Sequence, residues 1–138
     1  MRKAFSLIEL LIVIAILGLL VGIVGPALMK QFSGAKKKLT CTQMSQISDA
    51  IDTFKLDNGV IPTTDEGLKA LVTNPDSSKY PSYSGPYFRK GKLPKDAWKR
   101  DFQYISSGDT FDIISLGADG KEGGDGDSAD IYYSKCQK

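Results

Sequence analysis

One carboxylate constrains this chain more than any other residue. Residues 5–29 read FSLIELLIVIAILGLLVGIVGPALM, and Glu9 is the only charge among them. Residues 10–29 are twenty consecutive uncharged positions, enough helix to cross a hydrocarbon core of ~30 Å. A carboxylate in such a segment costs about 3 kcal/mol to insert and marks a functional position by default. Only four residues, MRKA, precede the apolar run.

Three readings of this N-terminus compete. A secretory signal peptide has a longer basic region, a shorter apolar core and an A-x-A-like site after it. Here the run passes through Gly25-Pro26 into a polar helical segment with no such site. A plain membrane anchor accounts for the length but not for Glu9. The third reading rests on Ala4-Phe5-Ser6-Leu7-Ile8-Glu9-Leu10, which resembles the type IV prepilin motif: a small residue followed by F-[ST]-L-[IV]-E. The resemblance implies a leader of residues 1–4, cut between Ala4 and Phe5 by a prepilin peptidase, then N-methylation of Phe5. Glu9 becomes the fifth mature residue and Pro26 the twenty-second, where pilins carry a kink-forming proline. The usual residue before the cut is Gly; Ala4 departs from it but is also small.

The chain has 138 residues: the leader that the resemblance implies, an apolar segment over 5–29 and a remainder over 30–138 read as one domain. Roughly 110 residues bury a modest core. The net charge of +2 falls to zero once Arg2 and Lys3 leave, so overall charge offers no case for nucleic-acid binding. Charge is segregated, with Lys30, Lys36, Lys37 and Lys38 after the apolar run and five acids near the end. Arg2 and Lys3 favour a cytoplasmic N-terminus; the later lysines argue the reverse by count. The prepilin resemblance resolves this as N-terminus in, domain out. Cys41 and Cys136 are too far apart in sequence for a C-x-x-C redox or zinc motif. Outside the cytoplasm they can pair as a disulfide; the alternative is two separate buried thiols.

Beyond the apolar run, Met44, Ile47, Ile51 and Phe54 recur at helical spacing, with Cys41 near the same face. Asp57-Asn58-Gly59 is a stop signal. One continuous helix from Phe5 to Asp57 is expected, ~80 Å long at 1.5 Å per residue, bent at Pro26. Thr63 and Glu66 have capping-box spacing and open a short second helix with Leu68, Leu71 and Val72 on its apolar face. Residues 74–100 are rich in Pro, Ser and Gly and form a connector held by Tyr80, Tyr83, Tyr87 and Trp98. Phe102 and Tyr104, then Phe111, Ile113 and Ser115, alternate around Ser107-Gly108-Asp109 as a hairpin. Ile131-Tyr132-Tyr133 reads as one more short strand. The fold class is α+β: a long helix on a small antiparallel sheet.

Residues 116–130 read LGADGKEGGDGDSAD, five acids among five glycines. Close carboxylates repel, and glycines let the backbone turn carbonyls inward. That composition suits a hard cation with six to eight oxygen ligands, calcium above magnesium. The plainer alternative is a solvated loop. The pattern is not an EF-hand.

Four further stretches carry a narrower resemblance. They are Phe54-Lys55-Leu56-Asp57-Asn58-Gly59, then Ile61-Pro62-Thr63-Thr64-Asp65-Glu66-Gly67-Leu68-Lys69-Ala70-Leu71, then Leu93-Pro94-Lys95-Asp96-Ala97-Trp98-Lys99, and Ser115-Leu116-Gly117-Ala118-Asp119-Gly120. Together they resemble the G-type major pseudopilin of type II secretion, within the type IV pilin-like superfamily. Ala97 and Lys99 stand where that family has Pro and Gly, and the cysteine pair is not typical of it.

The resemblance implies a pilin-like fold and calcium in the acidic loop. The ligands carried over are Asp119 and Asp130 first, then Asp127 and the Leu116 carbonyl, with Asp125 and Ser128 as further candidates. It also implies a helical homopolymer anchored in the inner membrane with its domain in the periplasm. The implied partners are minor pseudopilins, the prepilin peptidase and the inner-membrane assembly platform. Glu9 is expected to pair with the methylated amine of Phe5 on a neighbouring subunit. No enzyme is expected: the chain has no histidine and no paired nucleophile and base. Two alternatives stand beside secretion. One is a DNA-uptake or type IV pilus subunit, the only case in which nucleic acid is a partner. The other is a monomeric, membrane-anchored calcium-binding module.

Overall fold

The computed structural model describes residues 4–136. Met1, Arg2 and Lys3, part of the expected leader, lie outside the described residues. The chain divides into two compact units between Ala35 and Lys36.

Helix α1 (Leu7–Asn58) starts in the first unit and continues through Pro26. Its start is set locally. Ser6 Oγ accepts the Glu9 N–H at 3.3 Å, and Glu9 Oε2 accepts the Ser6 N–H at 3.2 Å. This is a reciprocal capping box, satisfying two donors that a helix N-terminus otherwise leaves open. The most apolar window of α1 is long enough to cross a membrane and none of it is buried within the chain.

In the second unit, α1 buries one face. Met44, Ile47, Ile51 and Phe54 are fully buried, as their spacing predicts. The helix ends where Gly59 takes φ 81 and donates its N–H to the Lys55 carbonyl at 2.7 Å, the left-handed C-terminal cap glycine supplies. The next expected helix is shorter than its sequence suggests. Thr63 and Glu66 do form a reciprocal box, at 3.0 and 3.2 Å. Gly67, at φ 64, then breaks the turn, and only a 3-10 segment, Leu68–Leu71, follows. Leu68 and Leu71 are buried; Val72 is only half-buried.

The connector packs by its aromatics. Tyr80, Tyr83 and Tyr87 meet Phe54 edge-to-face at centroid distances of 5.0, 6.0 and 5.7 Å, a favoured quadrupole geometry. Trp98 is half-buried against the same core.

The sheet is β1 (Gln103–Ser107), β2 (Thr110–Ser115) and β3 (Ile131–Tyr132), antiparallel in the order β1-β2-β3. Gly108, at φ 60, turns the two-residue hairpin loop. The core face carries Tyr104, Ile113, Ser115 and Ile131, all buried. The buried Tyr104 hydroxyl donates to the Pro62 carbonyl at 2.7 Å, and burial pushes its pKa up to about 12. Tyr133 is not in the strand; it opens a single turn, α2 (Tyr133–Cys136). Asp112 sets that change of direction by accepting both the backbone N–H and the hydroxyl of Ser134, at 3.0 and 2.8 Å. Cys136 is bonded to Cys41, with Cα atoms 5.7 Å apart, so the pairing expected for an oxidising compartment is present.

Candidate functional sites: the leading carboxylate and the acidic loop

The N-terminal site consists of Ala4, Phe5 and Glu9. All three are exposed, Phe5 by 77%. Glu9 uses one carboxylate oxygen for the capping box, and no hydrogen bond to the other is present among the described residues. Its role is therefore double: it caps its own helix and presents charge at the head of an apolar arm. The capping function is legible in the Ser6-x-x-Glu9 spacing.

The acidic loop is built from its ends inward. Its entry is pinned by a buried carboxylate that sequence reasoning missed. Asp96 is 4% exposed. Its Oδ1 accepts the N–H groups of Trp98 and Arg100 at 3.0 and 2.9 Å, and its Oδ2 accepts the Ser115 hydroxyl at 2.7 Å. Ser115 Oγ in turn accepts the Gly117 N–H at 3.3 Å. Such a network is stabilising because every buried polar member has a partner. The Asp96-x-Trp98-x-Arg100 turn is readable from local spacing; the bond to Ser115, nineteen positions away, is not.

Two contacts then close the loop on itself. The Ala118 N–H donates to the Asp127 carbonyl at 2.8 Å, and Arg100 Nη2 donates to the Ala118 carbonyl at 3.1 Å. Gly117 is required here: it has φ 73, and a Cβ would fall 2.8 Å from the Ala129 and Asp127 carbonyl oxygens.

The expected ligands are placed unequally. Asp119 is exposed and its Oδ1 accepts the Lys121 N–H at 3.0 Å. Asp125 is exposed and its carbonyl accepts the Ser128 N–H at 3.0 Å. Asp127 is exposed, while Leu116 and Ser128 are half-buried. Asp130 is half-buried; its Oδ2 accepts the Gly123 N–H at 3.0 Å, and its Oδ1 is buried without a hydrogen-bond partner. Among the described residues no three acidic, histidine or cysteine side chains gather closely enough to hold a metal. The crowding of carboxylates expected from the sequence is thus not the arrangement seen. The donors present are hard oxygens, and Asp130 Oδ1 is the one among the carboxylates left buried without a donor.

Comparison with known proteins covers nearly the whole chain. Residues 1–25 fit the prokaryotic N-terminal methylation motif. Residues 27–134 fit the family described as type II secretion system, protein G. The chain belongs to that family. The type II secretion system core protein G of Vibrio cholerae is 46% identical over 136 residues, covering 95% of this chain and 92% of the relative. That of Pseudomonas aeruginosa is 40% identical, covering 94% and 93%. The crystal structure of the major pseudopilin from the type 2 secretion system of enterohaemorrhagic Escherichia coli superposes with a TM-score of 0.64 at 32% identity, covering 76% of this chain and 91% of that one. The fold is therefore pilin-like, and the secretion reading is supported over the DNA-uptake alternative. The methylation motif and the apolar arm fit a membrane-anchored pseudopilin.

Proposed function

We propose that this chain is a structural subunit that polymerises into a periplasmic pseudopilus and drives protein secretion across the outer membrane without catalysing a reaction itself. The observation that carries this reading is the uncovered apolar arm of α1 headed by a single carboxylate. Before assembly the arm spans the inner membrane, with the N-terminus cytoplasmic and the globular unit periplasmic. In the filament, neighbouring arms cover one another. The prepilin peptidase cuts between Ala4 and Phe5, and methylation of the new amine keeps its charge. That amine then meets Glu9 of a neighbouring subunit, where a carboxylate among apolar helices needs a cationic partner. Minor pseudopilins and the inner-membrane platform are the further partners. Intact mass tests the first step: the membrane-extracted protein should lack residues 1–4 and carry one methyl group. A chain still beginning at Met1 sinks this reading.

Calcium is the second part of the proposal. The oxygen-only donor set, the irregular glycine-rich loop and the unpartnered Asp130 Oδ1 support it. Asp119, Asp127 and Asp130 would supply side chains and Leu116 a carbonyl, with Asp125 and Ser128 completing the shell; bound calcium would offset two of the loop's five negative charges. A ligand that binds only the folded chain stabilises it by ~2.7 kcal/mol at a hundred times its Kd. Chelator should lower the Tm, and calcium should restore it better than magnesium, which demands a stricter octahedron. Asp130→Ala should remove the response. An unchanged melting curve on chelation would leave the loop as a solvated one.

A further inference from the structure

The acidic loop has two ends, and they are secured differently. Its entry is held by the Asp96–Ser115 network within the core. Its exit, at Asp130, leads into β3, which pairs through only two residues, and α2, which is one turn. Elements that short are not self-supporting. Beside the burial of Ile131 in the core, they are secured by Cys136, bonded to Cys41 on α1, and by the two hydrogen bonds from Ser134 to Asp112. A small cavity of about 80 Å³ is lined by Asp130, Ile131, Tyr132, Lys135, Cys136 and Lys37. Cys136 and Asp130 thus border one space, and Lys37 and Lys135 line it too.

We propose that the Cys41–Cys136 disulfide is a redox control on the acidic loop. Oxidised, it holds Asp130 in place; reduced, it releases β3, α2 and the loop exit, and cation binding weakens. The reductant is a dithiol. One of its thiolates attacks a sulfur of the bond and displaces the other cysteine as thiolate. The second thiol then displaces the first cysteine, so the dithiol closes to a disulfide as both cysteines gain a proton and together two electrons. Both cysteines are half-buried, and the cavity that Cys136 borders is also lined by Lys37 and Lys135, whose positive charge favours a departing thiolate. The metal half of this inference rests on the calcium reading above; the loop-release half does not.

The test uses the full chain in detergent micelles. Hydrogen–deuterium exchange is read on peptides over residues 116–136 and over the α1 core at 44–54. Three states are compared: oxidised, reduced with dithiothreitol, and the Cys41→Ala/Cys136→Ala pair, with reduction verified by thiol alkylation. Exchange over 116–136 should rise sharply in both disulfide-free states while 44–54 stays protected. Calcium affinity, titrated with calcium chloride, should fall by a factor within the roughly 5–150-fold range usual for coupled sites. By reciprocity, calcium should make the bond harder to reduce by the same factor, about 30 mV for each tenfold. Unchanged exchange over 116–136 after verified reduction overturns the proposal. So does an equal rise over 44–54, because the bond then supports the whole unit. Equal calcium affinity in both redox states overturns the coupling. If the oxidised protein binds no calcium, the calcium reading and the coupling fall together, and the exchange data still decide the loop release.

Discussion

Two reciprocal capping boxes form among the described residues, Ser6–Glu9 in the N-terminal arm and Thr63–Glu66 in the globular unit, and they have different fates. Both make the same pair of local bonds, within 0.3 Å of each other in length. Glu9 stays exposed, with no further bond to its carboxylate among the described residues. Glu66 is drawn inward and also accepts the Tyr80 hydroxyl at 2.8 Å and the Lys79 ammonium at 3.1 Å. Burial alone would raise the Glu66 pKa; the hydrogen bonds from Thr63, Tyr80 and Lys79 outweigh it and hold the value at about 2. A local motif therefore specifies local bonds, and the surroundings decide whether the carboxylate serves the fold or remains available to a partner.

The largest expected effect breaks the Glu9 side of this pairing. Glu9→Gln keeps a side-chain acceptor for the Ser6 N–H and removes only the charge. Pelleted filament should drop at least about tenfold if the charge pair contributes 1.4 kcal/mol or more per contact. Ser6→Ala, which damages the cap and spares the charge, should leave filaments near wild type. Equal losses in both would mean that Glu9 acts through its cap.

On the other side, Glu66→Ala should destabilise the globular unit by about 1–3 kcal/mol, because the buried Tyr80 hydroxyl loses its acceptor. Calorimetry measures this. The pH dependence sharpens it. The folded pKa of about 2 lies below the ordinary 4.5, so this stabilisation is complete above pH 4.5 and is lost as pH falls toward 2. The gap between wild type and Glu66→Gln should narrow across that window. A gap independent of pH would refute the charged role of Glu66.

The smallest effect tests a position where local preference and tertiary demand conflict. Lys99 sits at φ 61 and donates its N–H to the Asp96 carbonyl at 2.9 Å. That backbone conformation disfavours side chains with a Cβ. Lys99→Gly should raise stability by about 0.5–1 kcal/mol, read as a small rise in Tm. A fall would mean that the lysine side chain contributes more than its backbone strain costs.

Much of this molecule was legible in advance. The periodicity of Met44, Ile47, Ile51 and Phe54 located the buried face of α1, because helical spacing and burial follow from one geometry. The hairpin was readable from alternation around Gly108, and the α1 terminus from Gly59. The errors arose where a residue's neighbours are distant in sequence. Tyr133 looks like a strand residue by composition, yet Asp112 turns the chain there. The acidic residues are close along the chain, yet among the described residues no three of them gather at one point.

Residue order by itself determined the apolar arm, its leading carboxylate, both capping boxes and the α+β class, since each depends on spacing within a few positions. Tertiary structure alone decided that Glu66 is drawn in and Glu9 is not. It also decided that Asp96 reaches Ser115, that Cys136 meets Cys41, and that Asp130 keeps one buried oxygen without a donor. Those outcomes depend on which distant groups share a low-dielectric interior, where an unpaired polar atom is costly and a paired one holds the fold together.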